Sequence, residues 1–182
     1  MADILVVVDM QKDFVYGVLG TSEARAIVPN VVKKIEEYMD AGKTVVFTLD
    51  SHNTEYDNTN EGKHLPFCHC VEDTYGWYLI DEVENLYRKL FMKRCTPTFR
   101  KHTFGSIDLG QWVEEESRYR AVESIEVIGV CTDICVISNI LLMKTFAPEL
   151  EYYVDAKCCA GSVPAGHDAA IKVMKSCHIN II

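Results

Sequence analysis

Apolar residues recur along this chain in two rhythms. Short runs rich in β-branched side chains occupy Ile4–Val8, Thr44–Leu49, Ile125–Val130 and Leu150–Val154, with shorter candidates at Leu90–Lys93 and Ile179–Ile182. Several are apolar at successive positions, the pattern of strands covered on both faces. Between them the spacing changes. Across Glu23–Ala41 the apolar positions Ile27, Val31, Ile35 and Met39 recur every four residues, and Gly42 suits the stop of a helix. In Ile80–Leu90 the residues Val83, Leu86, Tyr87 and Leu90 form one stripe. Cys135–Phe146 is apolar nearly all round and stops before Pro148, which predicts a helix that is buried or meets another subunit. Ser162 and Pro164 then read as the cap and early-turn proline of a last helix running through Lys175.

Strands and helices alternating in this order predict an α/β fold with three layers, α/β/α, around a central, mostly parallel sheet of about six strands. Residues 1–182 read as a single domain, since no linker, internal repeat or low-complexity stretch interrupts them. The one long irregular region runs from Ser51 to about Trp77, and a loop of that length in a compact domain is usually functional.

With 182 residues, 48% hydrophobic and 25% charged, the chain is large enough to bury a core without disulfides. Its net charge of −9 argues against nucleic acid or an anionic membrane as the main partner, because phosphate binding needs a basic face. The first residues, Met-Ala-Asp-Ile-Leu-Val-Val-Val-Asp, read as a strand and not as a signal peptide. No apolar run reaches the roughly 18 residues of a membrane span. These features predict a cytoplasmic protein whose eight cysteines stay reduced and act mostly as small core hydrophobes.

One cysteine stands apart. Cys135 follows the strand Ile125–Val130 by a few residues and opens the apolar helix, so it belongs in a first helical turn at the C-terminal edge of the sheet. A helix N-terminus favours the reactive thiolate, and ligands of open α/β sheets bind at this edge. Cys131 at the strand end is a rival with a weaker claim on the helix dipole, and Cys158 and Cys159 are expected to pack. Asp9 ends the first strand, where it caps a turn or faces the ligand edge as a general base; if the first and fourth strands are neighbours, it shares a rim with Cys135. Lys101, in Phe99-Arg100-Lys101-His102-Thr103-Phe104-Gly105-Ser106, is either a solvated surface lysine or a cation that stabilises nearby anions. The loop after the second strand holds Asp50, His52, Glu61 and His69, a set suited to zinc, iron or manganese. Cys68-His69-Cys70 allows a thiolate zinc site instead, weighed lower because adjacent ligands rarely close one tetrahedral site.

Five motifs carry a resemblance: D-M-Q-K-D-F at 9–14, D-S-H at 50–52, E-G-K-H-L-P-F-C-H-C at 61–70, K-H-T-F-G-S at 101–106 and G-V-C-T-D-I-C-V at 129–136. Together they resemble the isochorismatase-like cysteine hydrolases, and within them the nicotinamidases, over nearly the whole chain. The resemblance implies a catalytic triad of Asp9, Lys101 and Cys135. It implies a cis peptide before Cys131 and an oxyanion hole formed by the backbone N–H groups of Cys131 and Cys135. It also implies one divalent metal ion on Asp50, His52 and His69, with Glu61 a further ligand, zinc before iron or manganese. Phe14 matches a position that packs on the substrate ring, and Phe104 and Ile134 are expected pocket walls. The implied reaction is hydrolysis of nicotinamide to nicotinate and ammonia through a thioester on Cys135, with another small amide or carbamoyl compound as the alternative substrate. A homo-oligomer is expected, as in this family. Two departures from the family pattern are an extra residue between Pro66 and His69, and Phe104-Gly105-Ser106 in place of Ser-Ala-Phe after the lysine.

Overall fold

The computed structural model describes residues 1–93 and 96–182. Six strands form one parallel sheet: β1 Ile4–Val8, β2 Thr44–Asp50, β3 Thr98–Lys101, β4 Ser124–Val130, β5 Glu151–Ala160 and β6 Asn180–Ile181, in the order β3-β2-β1-β4-β5-β6. The helices are α1 Lys12–Val15, α2 Ser22–Asp40, α3 Asn60–His64, α4 Asp81–Lys93, α5 Ile107–Tyr119, α6 Ile137–Phe146 and α7 Pro164–Ser176. The predicted three-layer α/β fold is what the chain adopts. Leu5 and Val7 of β1 face a layer built from α2 and α4, with Val31, Ile35, Val83 and Leu86. Ile4, Val6 and Val8 face the opposite layer, where α5, α6 and α7 contribute Val113, Ile140 and Met174. Side chains alternate across the sheet and both faces are covered, which is why β1 reads as an unbroken apolar run.

Several elements differ from the sequence reading. Leu90–Lys93 is not a strand but the last turn of α4; its β-branched-poor run continues the stripe Val83, Leu86, Leu90. The third strand is Thr98–Lys101, too short for hydrophobic periodicity to register. Helix α5 lies where the pattern assigns nothing, because only Leu109, Gly110 and Val113 are buried along its length. Gly110 is required there, since a Cβ would come within 2.5 Å of the Phe146 ring. Ser162 does not cap α7; the helix starts after Val163 with no side-chain cap, and the Ser162 hydroxyl donates to Asp133 Oδ2 at 2.5 Å. Strand β5 extends ten residues, beyond the predicted Leu150–Val154, through a register shift opposite Val127 and Gly129. The all-round apolarity of α6 follows from packing against both α5 and α7.

The strand order reverses between β1 and β4, so their C-terminal ends open a crevice at the centre of the sheet. Val8 pairs with Gly129 across that junction. Gly129 holds φ at +119°, and a Cβ there would lie 2.1 Å from the Val8 carbonyl oxygen. Only glycine lets the two backbones approach so closely while the chain takes a conformation open to no other residue. Gly129→Ala is expected to lower stability by about 3 kcal/mol, through displacement of the β1 end. Urea unfolding of the two proteins checks this, and a loss below about 1 kcal/mol would refute it.

Candidate active site

Strand register does most of the assembly. β2 and β3 pair Asp50 with Lys101, and β1 and β2 pair Val8 with Thr48. Asp9, the next residue along, turns off the strand at φ 48°, and its carbonyl accepts the Gln11 N–H at 2.7 Å. The turn swings its carboxylate back over the sheet edge. Thr48 donates its hydroxyl to Asp9 Oδ1 at 2.7 Å. Asp9 Oδ2 lies 2.7 Å from Lys101 Nζ. That ammonium also lies 3.2 Å from Asp50 Oδ1 and 3.4 Å from Cys135 Sγ. Lys101 is therefore no surface lysine: it is 3% exposed, at the centre of two carboxylates and a thiol.

Burial dominates the titration of this group. It raises Asp9 above the ordinary carboxylate range, with the Lys101 charge opposing. Burial works against the Lys101 charge, but Asp9, Cys135 and Asp50 outweigh it and push the ammonium well above its usual value. Burial likewise works against the Asp50 carboxylate, yet hydrogen bonds with His52 and His69 and the Lys101 charge hold it far below the usual range.

The nucleophile candidate sits in a wide turn after β4. The Val130–Cys131 peptide is cis. Val136 N–H then reaches back five residues to the Cys131 carbonyl at 3.0 Å, and Ile134 N–H donates to the same oxygen at 3.1 Å. Asp133 pins the turn from outside by accepting from Ser162 N–H at 2.8 Å as well as from its hydroxyl. The expected preference for thiolate at this helix start is overridden: burial pushes the Cys135 thiol well up, against the pull of Lys101. Burial thus favours the protonated thiol, the form from which a neighbouring base takes a proton. Cys131 is pushed up to about 12 by burial, with Asp133 and Asp9 adding to it and the Lys101 charge opposing. Cys158 and Cys159 are buried in the two core layers, as expected.

On the other side of Asp50 is a group with metal-ligand chemistry. Donor atoms of Asp50, His52 and His69 lie within 4.8 Å of one another, and all three residues are buried. Asp50 Oδ2 is 3.0 Å from His52 Nε2 and 3.3 Å from His69 Nε2. His69 Nδ1 is 2.7 Å from the Phe67 carbonyl, which orients the ring so that Nε2 faces the Asp50 carboxylate. Two imidazole nitrogens and one carboxylate oxygen fit a divalent transition metal. Glu61 stands off this set, its Oε1 3.7 Å and 4.0 Å from the two ring nitrogens, and Tyr56 donates to it at 3.5 Å. Among the described residues Cys68 and Cys70 join no metal-binding group: Cys68 is exposed and Cys70 is buried, with its N–H donated to Asp13 Oδ2 at 2.8 Å.

A cavity of about 710 Å³ opens beside the metal set, lined by His52, Glu61, Leu65, Phe104 and Ile134 among others. Phe104 and Ile134 are thus walls. Phe14 is buried with its ring edge-on to His69, centroids 5.4 Å apart, in contact with the ligand set from the core side. Two residues of the first motif that the sequence reading passed over hold the loop in place. Gln11 Nε2 donates to the carbonyls of Asp50 and Trp77, at 2.9 and 2.7 Å, and its Oε1 accepts the Asp50 N–H at 2.8 Å. Asp13 anchors the residue after His69. Their polar side chains at positions flanking an apolar strand were the available signal.

Replacing Lys101 by Met strips the charge partner from two buried carboxylates. Stability at neutral pH should fall by about 3 kcal/mol. Asp9 already titrates above its ordinary value in the folded chain, so its burial favours the protonated form. The deficit of the variant should grow as pH rises through that titration and shrink below it. Denaturation midpoints across pH 4 to 8 (about one measurement per unit) test the sign; a deficit independent of pH would refute it.

Comparison with known proteins agrees with this geometry. The family model described as Isochorismatase domain matches residues 3–182. A Bacillus subtilis (strain 168) protein described as an uncharacterized isochorismatase family protein PncA is 31% identical over 140 residues, 75% of each chain. The crystal structure of nicotinamidase/pyrazinamidase PncA from Bacillus subtilis matches with a TM-score of 0.84 and 25% identity, over 100% of this chain and 99% of that one. The pyrazinamidase of Pyrococcus horikoshii in complex with zinc matches with a TM-score of 0.78 and 25% identity, again over 100% and 99%. With a family match across nearly its whole length and the thiol, lysine and carboxylates gathered at the sheet edge, this chain belongs to the isochorismatase family.

Proposed function

We propose that this isochorismatase-family amidohydrolase converts nicotinamide to nicotinate and ammonia through a thioester on Cys135. The observation that carries the reading is the position of Lys101 Nζ, in contact at once with Asp9, Cys135 Sγ and Asp50. One ammonium thereby ties the thiol chemistry to the metal-ligand set. The likeness to the nicotinamidase/pyrazinamidase of Bacillus subtilis and the pyrazinamidase of Pyrococcus horikoshii supports the substrate class.

Asp9 takes the Sγ proton as sulfur attacks the carboxamide carbon. Its raised titration makes it a stronger base than an ordinary aspartate, and then an acid able to protonate the departing amine. Lys101 balances the charge on Asp9 before transfer and on the sulfur after it. The N–H groups of Cys131 and Cys135 receive the developing oxyanion. Collapse of the tetrahedral adduct breaks the C–N bond, releases ammonia and leaves the thioester. Asp9 then takes a proton from water, whose oxygen attacks the thioester carbon; the acid departs and the thiol is restored.

Asp50, His52 and His69 would hold one divalent ion, zinc before iron or manganese, with the Glu61 carboxylate nearby as a further candidate ligand. When bound, the ion supplies a Lewis-acid anchor for the pyridine nitrogen. Phe104 and Ile134 flank the ring. The cavity also has room for another small amide or a carbamoyl compound, which is the second reading. The seven described cysteines are all free, which fits a reduced cytoplasmic setting.

Purified enzyme should release ammonia from nicotinamide, lose that activity to a chelator and regain it with zinc. Metal-replete protein that releases no ammonia would move the substrate to another amide. Cys135→Ala should cost about 10⁴-fold in kcat with the fold intact, as followed by steady-state assay and circular dichroism. His52→Ala should lose bound metal, read by elemental analysis, and raise KM more than it lowers kcat; unchanged metal content would take His52 out of the site.

A further inference from the structure

Asn139 lies on α6, one turn after Cys135, and is fully buried. Its amide makes three hydrogen bonds that link two separate parts of the site. Nδ2 donates to the Cys135 carbonyl at 2.8 Å and to the Phe104 carbonyl at 3.1 Å. Oδ1 accepts the Ser106 N–H at 2.9 Å. Both donors are used, with one acceptor position, so the amide plane is fixed from both sides. The loop that it grips follows Lys101 directly and carries the cavity wall Phe104. That loop lies tight on α6: a Cβ on Gly105 would approach the Ser138 carbonyl oxygen to 3.3 Å. Ser106 goes on to cap α5 by accepting the Leu109 N–H at 3.2 Å. No strand ladder joins this loop to the turn bearing the nucleophile.

We infer that Asn139 is a positioning residue that sets the Phe104 wall against the Cys135 nucleophile, and so governs the enzyme's selectivity for aromatic amides. The inference rests on Cys135 being the nucleophile, as proposed above. A buried polar side chain amid the apolar residues of α6 carries a desolvation cost that three hydrogen bonds offset. Those bonds leave the amide no part in the chemistry; they set where the wall stands.

Asn139→Ser separates the two ends of this link. A serine hydroxyl on a helix reaches the carbonyl four residues back, so the bond to Cys135 survives while both ties to the Phe104–Ser106 loop are lost. Cys135 alkylation, mapped by peptide mass, is followed with iodoacetamide and with the aromatic reagent N-phenylchloroacetamide. In Asn139→Ser the iodoacetamide rate should stay within about twofold of wild type, and the ratio of aromatic to iodoacetamide rate should fall about fivefold or more. KM for nicotinamide should rise by a similar factor, with kcat changed less. An unchanged rate ratio and KM would overturn the inference. So would equal slowing with both reagents, which would put the defect at the thiol. If wild-type enzyme releases no ammonia from nicotinamide, the substrate reading fails, and the alkylation ratio alone decides the role of Asn139.

Discussion

A lysine ammonium buried between two carboxylates and a thiol is the constraint around which this site is built. An isolated charge at that depth would be prohibitive, and each anion beside it would be as well. Asp9, Asp50 and Lys101 are tolerable only together, with Thr48, His52 and His69 satisfying the remaining oxygens. Burial leaves Asp9 basic, and the surplus of negative charge keeps the ammonium protonated. The thiol shares the Lys101 ammonium with both carboxylates, so passage of its proton to Asp9 leaves the sulfur beside a cation already in place.

Sheet topology makes that cluster possible. The order reversal between β1 and β4 places the end of one strand and the turn after the other on either side of one crevice. Parallel register then sets Asp50 beside Lys101 without any loop having to be ordered for the purpose. The same two strands carry the ligand-bearing loop away from the sheet. Gln11 returns from the β1 end to grip the Asp50 backbone on both its N–H and its carbonyl. Metal-ligand set and thiol site are thus held by rigid elements, and polar side chains that take no part in the chemistry do much of the holding.

Long, strongly patterned elements were legible in the sequence. The buried strands β1, β2 and β4 announce themselves as β-branched runs, and α2 as a four-residue stripe, because burial on one or both faces dictates residue type position by position. The triad candidates could be named from their place at predicted strand ends together with the motif resemblance. Less was legible where burial is sparse. Helix α5 buries three positions and β3 spans only four residues, so neither imposes a period on its sequence. Leu90–Lys93 looks like a strand end on local composition, and only its packing against the core layer of α2 makes it helix.

Residue order thus specified the layered α/β fold, the thiol at a helix start and the imidazole-carboxylate loop, since each follows from local spacing. Which charges meet was decided in three dimensions. That Lys101 is buried and not solvated, that the Phe14 ring packs edge-on to His69, and that burial sets the Cys135 thiol against its helix-start preference all depend on strand register and on burial by distant segments. Desolvation and Coulomb energies are set by distances between residues tens of positions apart, and no local pattern encodes those distances.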